Sequence, residues 1–120
     1  MMKGTSLSLA LVAIVTGLLA AAPAQGATPK LVATVGPGFT ISLKSGTTTV
    51  TKLKAGKYTI AVTDLSANHN FHLTGPGVDK KTSVASTSKT TWTVTFQKGK
   101  TYRYVCDPHS SFMKGSFKTF

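Results

Sequence analysis

Glutamate is absent from this chain of 120 residues, and aspartate occurs only at Asp64, Asp79 and Asp107. These three carboxylates form no acid–base pair and show no constellation with a nucleophile, so enzymatic chemistry is not expected. A single cysteine, Cys106, excludes any disulfide within the chain. After residue 24 no stretch shows the 3.6-residue apolar period of a helix. No apolar run beyond that point is long enough to cross a bilayer either.

What is present begins with Met1-Met2-Lys3, an uncharged stretch from Leu7 to Ala22, and the small-x-small triplet Ala22-Pro23-Ala24. A basic start, an apolar middle and a small-residue cleavage site are the anatomy of a secretory signal peptide. A retained membrane anchor is the weaker reading, because the apolar stretch is short for a span and Thr16 and Gly17 interrupt it. The expected division is therefore a signal peptide over residues 1–24 and one domain over 25–120. That domain would be exported to the periplasm, the extracellular space or the cell envelope, and its length suits one core.

Against the three aspartates stand 14 lysines and arginines, for a formal net charge of +11. Such a surface favours acidic protein partners and anionic envelope surfaces. Nucleic acid is not expected, because the lysines are spread between strands instead of clustering with aromatics. Many fall in turns such as Lys54-Ala55-Gly56-Lys57 and Gln97-Lys98-Gly99-Lys100, where they also deter edge-to-edge pairing.

Short alternating segments fill the rest. Leu31–Val35, Phe39–Leu43, a weaker run over Thr47–Leu53, Tyr58–Val62, His69–Leu73, Thr91–Phe96, Thr101–Cys106 and Gly115–Phe120 read as strands. Lys80–Ser88 reads as a loop or weak edge strand, and Lys44-Ser45-Gly46 as a turn. Even spacing, Gly and Lys turns, and enrichment in Thr and Val predict an all-β chain, an antiparallel β-sandwich of seven to eight strands.

The chemistry concentrates in Cys106-Asp107-Pro108-His109-Ser110-Ser111-Phe112-Met113. One thiol, one imidazole and one thioether within eight residues suit copper, in a trigonal site of two histidines and a cysteine with a distant methionine. A free thiol in an oxidising compartment is a hazard unless occupied, and metal ligation occupies it while adding folding free energy. The alternative of an inert buried thiol leaves the adjacent His109 and Met113 unexplained. Pro108 fixes its own φ and stiffens the link between Cys106 and His109. A second histidine must come from Asn68-His69-Asn70-Phe71-His72-Leu73. Alternate residues of a strand share a face, so His69 joins Phe71 and Leu73 on the core face, while Asn70 and His72 face outward. His72 then reads as an ordinary solvated histidine. Met113 could equally be a core methionine, but its place behind Cys106 and His109 favours ligation.

The pairing of His69-Asn70-Phe71-His72-Leu73 with Cys106-x2-His109-x3-Met113 resembles the cupredoxins, the plastocyanin- and azurin-like type 1 blue-copper proteins, over nearly all of the chain after the leader. The resemblance implies a Greek-key sandwich and a mononuclear site holding one copper per chain, cycling between Cu(II) and Cu(I). Its ligands would be His69, Cys106, His109 and Met113, since in this family the ligand histidine is the one followed by Asn. Asn70 would hydrogen-bond across to the Cys106 loop, and the carbonyl of Asn68 would stand near the opposite axial position. His109 would be the edge through which electrons pass, with Ser110, Ser111 and Phe112 forming the docking patch. Plastocyanin-like loops place four residues between the histidine and the methionine and this chain places three, so the Met113 bond length and the potential do not carry over.

The function implied is one-electron transfer by a monomer to and from an acidic redox protein. An exported copper buffer or delivery module would use the same residues. Delivery proteins, however, expose Met- or His-rich tracts, and this chain has three methionines and three histidines. A metal-free sandwich adhesin would leave the ordered ligand set without a purpose.

Overall fold

The structure, a computed structural model, describes residues 26–120 and the isolated positions 4 and 17. Apart from those two positions, the expected signal peptide over 1–24 lies outside the described residues. Ten strands follow: β1 (Lys30–Val35), β2 (Ile41–Ser45), β3 (Thr48–Thr49), β4 (Lys52–Leu53), β5 (Gly56–Asp64), β6 (His72–Gly75), β7 (Val78–Lys81), β8 (Ser88–Phe96), β9 (Thr101–Val105) and β10 (Lys114–Thr119). They form two five-stranded sheets, in the orders β3-β2-β1-β5-β8 and β4-β10-β9-β6-β7.

This is the sandwich that the strand spacing implies, with differences of detail. The weak run over 47–53 is two pieces in different sheets: β3 pairs with β2, and β4 with β10. Val50 lies between them, buried, its N–H donating to the Leu43 carbonyl at 2.9 Å, and the chain crosses from one sheet to the other there. Because of that crossing β5 re-enters the first sheet parallel to β1, and β4 lies parallel to β10; the other pairings are antiparallel. Lys44, expected in a turn, belongs to β2, and β7 takes the first part of the polar run that reads as a loop.

Period-two burial builds the core. Along β5, Tyr58, Ile60, Val62 and Asp64 point inward and alternate with half-buried or exposed residues. Leu31, Ala33 and Val35 do the same on β1, and Tyr102 and Tyr104 on β9. Phe96 sits among Tyr102, Phe117 and Tyr58, with ring centroids 4.7, 5.2 and 5.6 Å away. Nearer the ligand-bearing end, Tyr104 stacks on Phe71 at 5.4 Å and 12°. The Tyr104 ring occupies the place a Cβ would take at Gly115, its cross-strand partner. Glycine there lets the aromatic layer reach the ligand loop.

Candidate metal centre

Three ligand-type atoms converge at one end of the sandwich. Nδ1 of His69 lies 3.1 Å from Nδ1 of His109, and Sγ of Cys106 lies 3.6 Å from each. They come from two connections. Residue 69 lies between β5 and β6, while 106 and 109 lie in the loop joining β9 to β10.

The β9–β10 loop is closed by its own backbone. The Cys106 N–H donates to the Met113 carbonyl at 2.9 Å, one further rung beyond the Val105–Lys114 pair. Asp107–His109 make a short 3-10 turn with Pro108 inside it, where the missing N–H costs nothing. The His109 N–H returns to the Cys106 carbonyl at 3.0 Å, and the Met113 N–H to the His109 carbonyl at 2.9 Å. This folding puts the thiol and the imidazole on one side of the turn. Met113, at the end of this loop, is buried in the core cluster and only 1 % exposed.

His69 is 3 % exposed and Cys106 is fully buried, as the strand parity of His69, Phe71 and Leu73 anticipates. The parity holds although residues 69–71 are not strand, since β6 starts at His72. Asn70 departs from it: expected to face outward, it is buried. Its amide donates to Asp107 Oδ2 at 2.7 Å, and its Oδ1 accepts the Asp107 N–H at 2.8 Å. Asn70 thus ties the two ligand-bearing segments together. Thr82 braces the same stretch from the other side. Its hydroxyl accepts the Phe71 N–H at 2.9 Å and donates to buried Asp64 at 2.7 Å. Asn68 is exposed, its N–H donating to Ser66 Oγ at 3.0 Å.

His72 does face outward and is not one of the converging ligands. It is not a freely solvated histidine, however, because both its nitrogens are engaged. Nδ1 lies 2.8 Å from Asp107 Oδ1, and Nε2 lies 2.7 Å from Asp79 Oδ1. Partial burial pulls its pKa down, but the two carboxylates outweigh that and hold it above the usual histidine range. Burial likewise pushes Asp107 up, while His72, Asn70 and the charge of Lys81 bring it below the usual carboxylate range.

The donor set suits copper. A thiolate with two imidazole nitrogens is a soft trigonal set, and bonds of about 2.0–2.3 Å from one central ion to each atom would span separations like those found. Among the described residues, these three make the one group of His, Cys and carboxylate side chains whose ligand atoms gather closely enough to hold an ion.

Around this centre His109 is half-buried, and Ser110, Ser111 and Phe112 are exposed. Phe39 joins them, which strand periodicity did not anticipate. The Gly36-Pro37-Gly38 loop, closed by the Gly36 N–H on the Thr40 carbonyl at 2.9 Å, delays β2 until Ile41 and leaves Phe39 outside. Phe39 is 66 % exposed and Phe112 is 58 % exposed. The Phe39 ring lies 5.3 Å from His69, 5.1 Å from His109 and 5.7 Å from Phe112, mostly edge-on. The Gly-Pro-Gly turn just before it was the available signal. Alongside, on the outer face of β9 and β10, Arg103, Val105, Ser110, Lys114, Gly115 and Ser116 line a groove of about 620 Å³.

Residues 39–119 match the family of copper binding proteins, plastocyanin/azurin family. Among solved structures, a reduced rusticyanin is similar at TM-score 0.57 and 21 % identity, covering 80 % of this chain and 81 % of its own. Rusticyanin from Thiobacillus ferrooxidans is similar at TM-score 0.52 and 21 % identity, covering 80 % and 79 %. At that identity the likeness speaks for the sandwich fold alone. No curated protein matches. The matched residues take in both ligand-bearing segments, and the chain belongs to the copper-binding plastocyanin/azurin family.

Proposed function

We propose that the domain over residues 25–120 is an exported, monomeric one-electron carrier that holds one copper through His69, Cys106, His109 and Met113. The observation that carries this reading is the triangle of Nδ1, Nδ1 and Sγ atoms 3.1–3.6 Å apart, closed off by burial of His69 and Cys106 but open at the His109 edge. Copper, when bound, supplies the one-electron couple between Cu(II) and Cu(I). The protein's part is to hold its donors still. Bracing of both ligand segments by Asn70, Asp107 and Thr82 favours a geometry that changes little between oxidation states. Asn68, next to His69 in the chain, would turn its backbone carbonyl toward the bound ion, and Pro108 would keep the Cys106–His109 spacing short.

His109 is the route in and out. Its flanking Phe39, Phe112, Ser110 and Ser111 form a small patch, apolar at the centre and polar at the rim. Redox contacts are small and short-lived, so such a patch suffices for docking. The basic groove beside it supports an acidic redox partner. Buried ligands and the lack of a Met- or His-rich tract favour a carrier over a copper-delivery module, which must give up its ion readily.

Titration of the purified domain with Cu(II) tests the reading. One equivalent should give an intense visible thiolate-to-copper band and a narrow-hyperfine EPR signal. Cys106→Ser and His69→Ala should each abolish the band while leaving a folded sandwich. A colourless protein that binds one Cu(II) would overturn the assignment.

A further inference from the structure

The chain has three acidic side chains, and all three are spent on the two ligand-bearing segments. Asp64 accepts the Ser66 N–H at 3.1 Å and the Thr82 hydroxyl at 2.7 Å, beneath the stretch that carries His69. Asp79 and Asp107 both bond His72. In a protein with 14 lysines and arginines, no side-chain carboxylate pairs with any of those that lie among the described residues. That concentration asks for a reason.

We infer that His72 is a positioning residue for the metal centre: clamped between Asp79 and Asp107, it fixes the Asp107 carboxylate and through it the Cys106–His109 turn. The chain of contacts is continuous. Asp79 Oδ1 lies 2.7 Å from His72 Nε2, and His72 Nδ1 lies 2.8 Å from Asp107 Oδ1. Asp107 Oδ2 accepts from Asn70 at 2.7 Å, and the Asp107 N–H donates back to Asn70 at 2.8 Å. Both oxygens and the N–H of Asp107 are therefore committed, and Asp107 directly follows Cys106. Without His72, one Asp107 oxygen loses its partner and the side chain can swing into solvent, carrying strain from the Asn70 clasp to the turn.

The arrangement is selective for a charged ring. A neutral imidazole has one N–H and would present a lone pair to the second carboxylate, whereas an imidazolium donates to both. The raised pKa of His72 agrees with that. The other charges near it oppose it. Lys81 is its cross-strand partner on β7, and Arg103 and Lys114 stand on β9 and β10 on the same outer face. The two aspartates outweigh the loss of water around the ring.

The metal arm of the test rests on the copper reading, and the other arm does not. Amide hydrogen exchange is compared in the metal-free full chain of wild type, His72→Phe and His72→Gln, and Cu(II) affinity is then measured on the same proteins. In His72→Phe the Asp107 amide should exchange faster while Ile60, buried on β5 between β1 and β8, is unaffected. Affinity for Cu(II) should fall about 10-fold, the scale seen when a group behind a ligand is removed. His72→Gln keeps one donor and should fall between. Unchanged exchange at Asp107 in both variants would overturn the proposal. So would a rise at Asp107 and Ile60 alike, which marks a general loss of stability. A wild type that binds Cu(II) without colour would overturn the copper reading, and the exchange comparison would still decide the role of His72.

Discussion

His69 and His72 lie on one short segment and have opposite fates. His69 turns under the end of the sandwich to meet Cys106 and His109, whereas His72 opens β6 and looks out between two carboxylates. Their chemistry follows from placement alone, since the side chains are identical. The raised pKa of His72 has a defined consequence for stability. A folded-state value above the unfolded one, about 6.5, means that its contribution is complete below about pH 6.5. The contribution is lost as pH rises through the raised value. The melting temperature of the metal-free protein should therefore fall as pH is raised across that window. In His72→Phe this part of the decline should be missing, and thermal unfolding at a series of pH values checks it. A decline of the same size in the variant would assign the pH dependence to other groups.

At the scale of elements, the β9–β10 hairpin carries the most weight. It supplies Cys106 at the end of one strand, returns through a turn stiffened by Pro108, and buries Met113 before β10 begins. Its register places Gly115 opposite Tyr104, whose ring lies across the glycine and stacks on Phe71. A methyl group at residue 115 has nowhere to go unless the ring moves, and Phe71 blocks that motion. Gly115→Ala should cost about 1–3 kcal/mol, the usual range for overpacking. Urea unfolding of the metal-free protein measures it. A midpoint equal to that of wild type would show that the Tyr104 ring shifts freely.

Over the whole molecule, charge is distributed with a bias that composition cannot reveal. Lys52, Lys81, Arg103, Lys114 and Lys118 share the outer face of the second sheet, where Asp79 is the acidic residue paired into the strands. Arg103 and Lys114 line the groove beside the ligand loop. Lys44 lies on β2, in the other sheet. Screening would confine steering to charges within about 8 Å of the proposed docking patch at physiological ionic strength. Electron transfer to an acidic partner should slow as salt rises, and Lys114→Gln should slow it more than Lys44→Gln. Stopped-flow rates at several salt concentrations test both statements. Rates independent of salt would leave the lysines with solubility and edge protection as their task.

Period-two alternation and turn residues were enough to specify a sandwich, because each strand's inward face is written locally. The three converging residues were legible too, because Cys106 and His109 sit on one loop and His69 shares the parity of Phe71 and Leu73. What local pattern could not carry was whatever depends on partners distant in sequence. The crossing at Val50 that splits the run over 47–53, and the parallel pairings it produces, reflect which sheet edge is free. Burial of Asn70 depends on Asp107 waiting to receive it. The exposure of Phe39 depends on the loop that delays β2 and on two histidine rings arriving beneath it. The clamp on His72 joins residues from β6, β7 and the β9–β10 loop. Most of these contacts join distant residues, 37 positions apart for Asn70 and Asp107 and 35 for His72 and Asp107, and none has a periodic signature, so only the assembled sandwich could decide them.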